Sequence, residues 1–176
     1  MAHPRKLIRA AFADHLKTPL DGGGYRTRAE SRVYKSRLAP VSEEELKEEG
    51  PAILVYARME KTDKEKDYGI EGDATFVERE LTLVTEAMLL AGDEVDDALD
   101  DIAEEMEAAI SDFMIPGFES AVTHLRESDI DVITEQMKRP VGAIGLVWTI
   151  KYRTDWRPRA TANDLDADMQ AFLDGK

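Results

Sequence analysis

The chain has 176 residues, no cysteine and a formal net charge of −14. This length accommodates one domain with a real core, but not two comfortable ones. The lack of cysteine excludes disulfides, thiol nucleophiles and cysteine zinc sites. No segment has the roughly 18 consecutive apolar residues of a membrane span, and the N-terminal stretch is interrupted by charges, so we expect a protein made in the cytoplasm.

The charge is distributed unevenly along the chain. Residues 1–40 contain nine Lys/Arg and three Asp/Glu, a net charge of +6, while the rest carries a net charge of −20. The simpler interpretation is a solvated, self-repelling surface. The alternative is a polarity suited to head-to-tail contact between copies or to a charged partner. Specific nucleic-acid binding is not expected, because the overall negative charge repels phosphates.

The N-terminal half predicts a helix followed by strands. Pro4–Lys17 has one apolar stripe at helical spacing. The segment 25–41 predicts a modest strand, and its Arg and Lys residues indicate a sheet edge or an exposed face. Residues 43–50 read as an acidic linker with at most one helical turn. The unbroken apolar run in 52–60 predicts a strand covered on both sides at its start.

The segment 61–74 is charged, contains glycine and has no periodicity. It predicts a loop between paired strands, and loops of this length are uncommon in compact domains unless they have a function. The alternative is a solvated hairpin tip. Tyr68 and Ile70 are its notable apolar side chains.

A strand, a helix and a hairpin follow. Thr75–Leu90 alternates as a strand, and Glu94–Phe113 has a long apolar stripe with an acidic opposite face. Residues 120–133 predict a strand with an irregularity near Glu127 and Ser128, which pairs with a long strand over 139–154.

This last strand has one heavy face and one light face. Ile144, Leu146, Trp148, Ile150 and Tyr152 form the heavy face, which we expect the two main helices to cover. Gly142 and Gly145 indicate either close packing against the backbone or a bend.

Residues 155–176 form a C-terminal tail after a single domain of residues 1–154. Within it, Asn163–Leu173 predicts a short helix whose apolar residues are Leu165, Met169, Phe172 and Leu173. A helix this small must dock on another surface or fray.

No catalytic motif occurs, and we predict no enzyme activity, cofactor or metal. The acidic helix offers carboxylates one turn apart, Asp97 with Asp101 and Asp100 with Glu104. These would give at most a weak, exposed cation site, so a solvated or partner-facing stripe is the preferred interpretation. An acidic metal-dependent hydrolase using Asp100, Asp101 and Glu104 is kept as an alternative. The three histidines are scattered along the chain, and His124 is interpreted as a strand residue.

The order of segments resembles a known family. HPRKLIRAAFADHL, SRVYKSRLAP, PAILVYARME, ERELTLVTEA, DDALDDIAEEMEAAI and the hairpin ending in VWTIKYRT together look like the tail terminator (minor tail protein U-like) family of long-tailed phages and prophages. The resemblance covers about residues 3–154 and rests on order and texture rather than on an invariant motif. The acidic 43–49 segment and the long tail depart from the family pattern.

The resemblance implies an α+β fold with a mostly antiparallel sheet and two main helices on one face. It also implies a structural virion protein that forms a hexameric ring, caps the tail tube, stops its polymerisation and presents a head-attachment surface. Expected partners are further copies of the chain, the tube protein and head-tail connector or neck proteins, with no membrane. A neck or head-tail completion protein is the alternative in the same setting.

Two groups of contact residues are predicted on this basis. Tube contacts are assigned to the long loop, at Lys64, Lys66, Tyr68 and Ile70. Contacts between subunits are assigned to the second face of the last strand and to the tail, at Lys151, Arg153, Trp156, Phe172 and Leu173.

Overall fold

Three helices and five strands make up the part of the chain that this computed structural model describes, which is residues 3–37, 41–63, 75–90, 92, 94–133 and 141–156. In chain order they are α1 (Pro4–Lys17), β1 (Val33–Lys35), α2 (Glu43–Glu49), β2 (Ala52–Asp63), β3 (Thr75–Leu90), α3 (Val95–Ser111), β4 (Val122–Ile133) and β5 (Val141–Trp156). The predicted α+β class is confirmed.

The strands form one sheet in the order β1-β2-β3-β5-β4. β1 runs parallel to β2, and the other neighbours are antiparallel. β5 lies between β3 and β4, so Trp148 has Leu83 on one side and Leu125 on the other. The predicted β4–β5 hairpin pairing is confirmed, and its register shift lies between Leu125 and Glu127, slightly before the expected position.

The two main helices cover one face of the sheet, as predicted. The heavy face of β5 packs there against apolar residues of both helices, which are Ile8, Phe12, Leu16, Leu99, Ile102 and Met106. Trp148 is buried, and its indole N–H donates a 2.9 Å hydrogen bond to Thr85 Oγ1. This bond satisfies the polar atoms of both side chains where water is excluded.

A second, smaller core closes one end of the opposite face. Leu46 of α2 packs there with Val41, Ala52, Met88, Val141 and Ala143. The expectation of an acidic linker with one helical turn was therefore wrong. Ser42 and Glu45 form a capping box, which satisfies backbone donors at the helix start and makes a seven-residue helix possible.

This second core also explains the apolar run in β2. Ala52 and Ile53 point to opposite faces of the sheet and both are fully buried. The prediction that β2 is covered on both sides at its start is confirmed.

The two glycines of β5 have different surroundings. A Cβ atom at Gly142 would lie 2.6 Å from Val95 Cγ2 and 3.1 Å from Leu99 Cδ1, because α3 packs directly on the strand there. A Cβ atom at Gly145 would meet only the Asp129 carbonyl oxygen, at 3.9 Å. Close packing therefore accounts for Gly142 but not for Gly145.

β5 continues to Trp156, two residues past the predicted domain end at 154. The remaining residues 157–176, with the predicted helix Asn163–Leu173, lie outside the described residues.

Candidate functional site: the edges and open face of the sheet

β4 is an edge strand with exposed side chains on both faces. Within the described part of the chain its only strand partner is β5. Val122 is 49% exposed, Leu125 38% and Ile130 42%. Its outer edge therefore offers a row of backbone N–H and C=O groups with which a further strand could pair.

The surface around β4 is strongly acidic. Glu127, Asp129 and Asp131 are exposed on the strand. The neighbouring helix α3 adds exposed carboxylates at Asp96, Asp97, Asp100, Glu104 and Glu107. We call β4 and the exposed face of α3 the acidic edge.

Two carboxylates of α3 have a role inside the subunit. Arg28 forms ion pairs with Asp101 Oδ2 at 3.2 Å and with Glu105 Oε1 at 2.9 Å. The Arg28 backbone N–H also donates to Glu105 Oε2 at 2.7 Å, so these acids fasten the segment before β1 to α3. The sequence interpretation of a purely solvated or partner-facing stripe missed this contact.

The opposite side of the sheet carries positive charge. α1 packs over β1 and β2. Its residues Arg5, Lys6 and Arg9 have no ion pair with a carboxylate of the described residues. Arg5 and Lys6 are exposed. We call α1 and β1 the basic edge, and its strand β1 lies at the opposite end of the strand order from β4.

Beyond α2, no described helix or strand covers the second face of the sheet. Lys151 and Arg153, predicted as interface residues, are exposed there on β5. Arg153 binds Glu78 Oε1 at 2.8 Å, and Lys151 lies 3.9 Å from Glu80 Oε2. Both line an open depression of about 720 Å³ at this end of the sheet. They are therefore accessible, although each already faces a carboxylate of β3.

The middle of the open face contains a half-buried acid. Glu86 lies on β3 beside Gly145 of β5, which has Asp129 of β4 on its other side. Burial raises the pKa of Glu86 above its usual value, and the charge of Asp131 adds to the effect. Ionised Glu86 therefore costs stability at neutral pH.

A polar cluster lies under the start of α1. Glu60 accepts a hydrogen bond from the Tyr152 hydroxyl and pairs with Arg79 Nη1 at 3.3 Å. Its carboxylate also lies 3.8 Å from His3 Nε2. Burial and the neighbouring carboxylate raise the pKa of Tyr152. Because α1 has no acid in its first turn, we infer that Glu60 supplies the negative charge that favours a helix N-terminus.

An open groove of about 490 Å³ lies between α1 and the turn after α3. Leu7, Ala10 and Ala11 form one wall, and Phe113 and Pro116 form the other. Sequence reasoning missed this groove, although the apolar run around Pro116 and Gly117 was a visible signal. Met114, next in the chain to Phe113, is 74% exposed.

His15 stands on the α1 wall of this groove. Its ring stacks on Phe113 at 4.0 Å, and Nε2 lies 2.9 Å from the Ala109 carbonyl oxygen. Burial lowers the pKa of His15, partly opposed by this hydrogen bond.

The carboxylate pairs considered for cation binding do not converge. The described residues contain no group of three or more His, Asp or Glu side chains arranged to hold a metal ion. His124 lies exposed on the edge strand β4. None of the described helices is long and apolar enough to cross a membrane.

Several predicted contact residues lie outside the described part of the chain. These are Lys64, Lys66, Tyr68, Ile70, Phe172 and Leu173. For Trp156 only the backbone pairing with Thr75 is described. No family model matches the chain, and no curated protein matches it either.

Proposed function

We propose that this protein is a tail terminator of a long-tailed phage or prophage. It would assemble as a hexameric ring that caps the finished tail tube, stops tube polymerisation and offers a surface for head attachment. The observation that carries the proposal is the presence of opposite charges on opposite edges of one sheet. The proposal includes no catalytic step, cofactor or metal.

Opposite charges on opposite edges favour a head-to-tail contact. The acidic edge of one copy attracts the basic edge of the next, and repetition of this contact closes a ring when the rotation between copies is suitable. Like edges repel each other, so the symmetric alternatives are disfavoured. The net charge of +6 in residues 1–40 supports this contact, because α1 packs over β1 and β2, and β1 is at the opposite end of the strand order from β4.

The open edge of β4 adds a second source of contact. Its exposed Leu125 and Ile130 lie on the same face as the apolar residues of β5. A neighbouring subunit that covered this edge would bury both side chains and satisfy the free backbone groups.

The remaining contacts follow the predicted residues. Lys64, Lys66, Tyr68 and Ile70 would meet the tail tube, and Lys151, Arg153 and Trp156 would meet the next subunit. Head-tail connector or neck proteins would bind the finished ring. The protein would be found in the host cytoplasm during assembly and in the virion tail afterwards.

Charge reversal tests the ring contact. Arg5→Glu with Lys6→Glu makes both edges acidic, and Glu127→Lys with Asp129→Lys reduces the charge of the acidic edge. We expect native protein to form a ring of about six copies by native mass spectrometry and negative-stain imaging. Each double variant alone should require at least about tenfold higher concentration for assembly, because the attraction between its edges is weakened or lost.

A mixture provides the sharper measurement. In an equal mixture, the unchanged acidic edge of one variant meets the unchanged basic edge of the other. Mixed dimers should therefore form at lower concentration than dimers of either variant alone. Lys47→Glu with Arg58→Glu is the matched control, because it reverses two exposed cations outside the basic edge and should leave assembly intact. A native protein that stays monomeric at high concentration would refute the proposal.

A tube-assembly reaction separates termination from the neck alternative. Added native protein should shorten tail tubes, whereas a neck or completion protein would leave tube length unchanged. Tyr68→Ala with Ile70→Ala should keep the ring mass and lose the shortening. Loss of the fold in this variant would show that the segment is structural and that its assignment is wrong.

A further inference from the structure

The groove between α1 and the turn after α3 has no occupant within the described residues. It runs along α1 from Leu7 to Thr18, a length of about 16 Å at the rise of an α-helix. Ala10 and Ala11 provide a shallow, close-approach surface, and Leu7 is 44% exposed. A helix laid beside α1 would cover these side chains and Phe113.

The walls of the groove are well fixed. Phe113 packs edge-on against the buried Phe12 at 5.6 Å and face-on against His15. At the far end, the Arg26 guanidinium donates to the carbonyl oxygens of His15 and Thr18. The surface is therefore shaped before any occupant arrives, which lowers the entropic cost of docking.

The position where β5 ends indicates which segment of the chain could occupy the groove. Tyr152 packs edge-on against Phe118 at 5.4 Å. Its hydroxyl donates a hydrogen bond to Glu60, which lies beneath the start of α1. β5 thus runs close to the turn after α3 and to the start of α1, and it ends four residues after Tyr152 at Trp156. The chain continues for 20 residues from this point.

The length and composition of that continuation match the groove. Residues 157–162 can span up to about 20 Å when extended. Residues 163–173 as a helix are about 16 Å long, with Leu165, Met169, Phe172 and Leu173 at the spacings of one face. The segment has three aspartates and no cation, whereas α1 has a net charge of +3.

We propose that residues 163–173 bind as an amphipathic helix in the groove of the same chain, between α1 and Phe113–Pro116. The apolar face covers Leu7, Ala10 and Phe113, and the aspartates stay in solvent near the cations of α1. This contact assigns Phe172 and Leu173 to a groove of their own chain rather than to the next subunit, and it can be tested in dilute protein without ring assembly.

Engineered cysteines provide the test in the full-length chain, which has none of its own. The variant Ala10→Cys with Met169→Cys places one thiol in the groove and one on the apolar face of the tail segment. Mild oxidation of dilute protein should give a disulfide within single chains, read by intact mass and non-reducing electrophoresis.

Two controls isolate docking from random encounter. The first is the same cysteine pair with Phe172→Asp and Leu173→Asp, which removes the apolar anchors. The second moves the groove thiol to the exposed α3 position with Glu104→Cys. We expect the native tail to form the disulfide at least about tenfold faster than either control, with unfolding temperatures measured to verify that all variants are folded.

Equal rates in the three proteins would overturn the proposal, because the tail would then sample its surroundings without preference. Disulfide-linked dimers in place of closed monomers would also overturn it, since the occupant would be the tail of another copy. Neither result decides whether native protein forms rings or whether charge reversal weakens them, so this test and that of the proposed function fail independently.

Discussion

Gly142 tests how closely α3 packs on the sheet. Replacement by alanine places a Cβ atom 2.6 Å from Val95 Cγ2, well inside normal contact distance. Val95 is β-branched and cannot turn away freely, so the start of α3 must shift from β5. Overpacking of this kind costs about 1–3 kcal/mol. For a domain of this size the unfolding temperature should fall by about 2–4 °C for each kcal/mol.

The assay is thermal and urea unfolding of Gly142→Ala beside the matched control Gly145→Ala. The control changes the same residue type in the same strand, but its new Cβ atom meets only a carbonyl oxygen at 3.9 Å. It should be neutral or stabilising by up to about 1 kcal/mol, because alanine restricts the unfolded chain more than glycine. Equal effects of the two substitutions would refute the packing argument.

A double substitution identifies the clashing atom. Val95→Ala removes Cγ2, so Gly142→Ala should cost less in a Val95→Ala background than in the native chain. We expect a favourable coupling of about 1 kcal/mol or more, in the range found for residues in contact. Additive effects would place the strain elsewhere.

Three further predictions concern buried and titrating groups. Trp148→Phe should lower the free energy of unfolding by about 1–3 kcal/mol, because Thr85 Oγ1 loses its hydrogen-bond donor in a dry core. The control Thr149→Ala, on the open face, should have a smaller effect when both are measured by denaturant unfolding. For His15 the folded-state pKa is lowered, so its contribution is present above about pH 6.5 and is lost as the pH falls below that value. Native protein should therefore lose more stability than His15→Gln between pH 7.5 and 5.5, and parallel melting curves would contradict this. For Glu86 the folded-state pKa is raised, so stability is lost as the pH rises through that pKa. Glu86→Gln should melt at a higher temperature than native protein at pH 7, and this difference should shrink towards pH 4.5. A lower melting temperature of the variant at pH 7 would show that burial does not destabilise the carboxylate.

The local elements were predictable because their signals lie close together in the sequence. Two patterns indicate which side of an element is buried. They are the apolar stripe of Pro4–Lys17 and the two-residue alternation around Trp148. The pairing of β4 with β5 follows from their closeness in the chain. The α+β class and the face covered by the two main helices followed from these patterns.

The helix α2 shows where pattern reasoning was too weak. Its seven residues include one buried apolar side chain, Leu46, so periodicity carries little information. The capping box of Ser42 and Glu45 was the available signal. Glu45 also binds Arg37, and the backbone N–H of Ser42 together with that guanidinium lowers the pKa of Glu45 to about 2.

The sequence by itself determined the elements, the class of the fold and the uneven charge. Only the tertiary structure decided where that charge lies, because the strand order puts β1 and β4 at opposite edges of the sheet, with β2, β3 and β5 between them. It also separated Gly142 from Gly145 and tied Arg28 to Glu105 across 77 positions of sequence. Contacts between residues so distant in sequence depend on how the helices pack on the sheet. Local residue spacing does not indicate which residues this packing brings together.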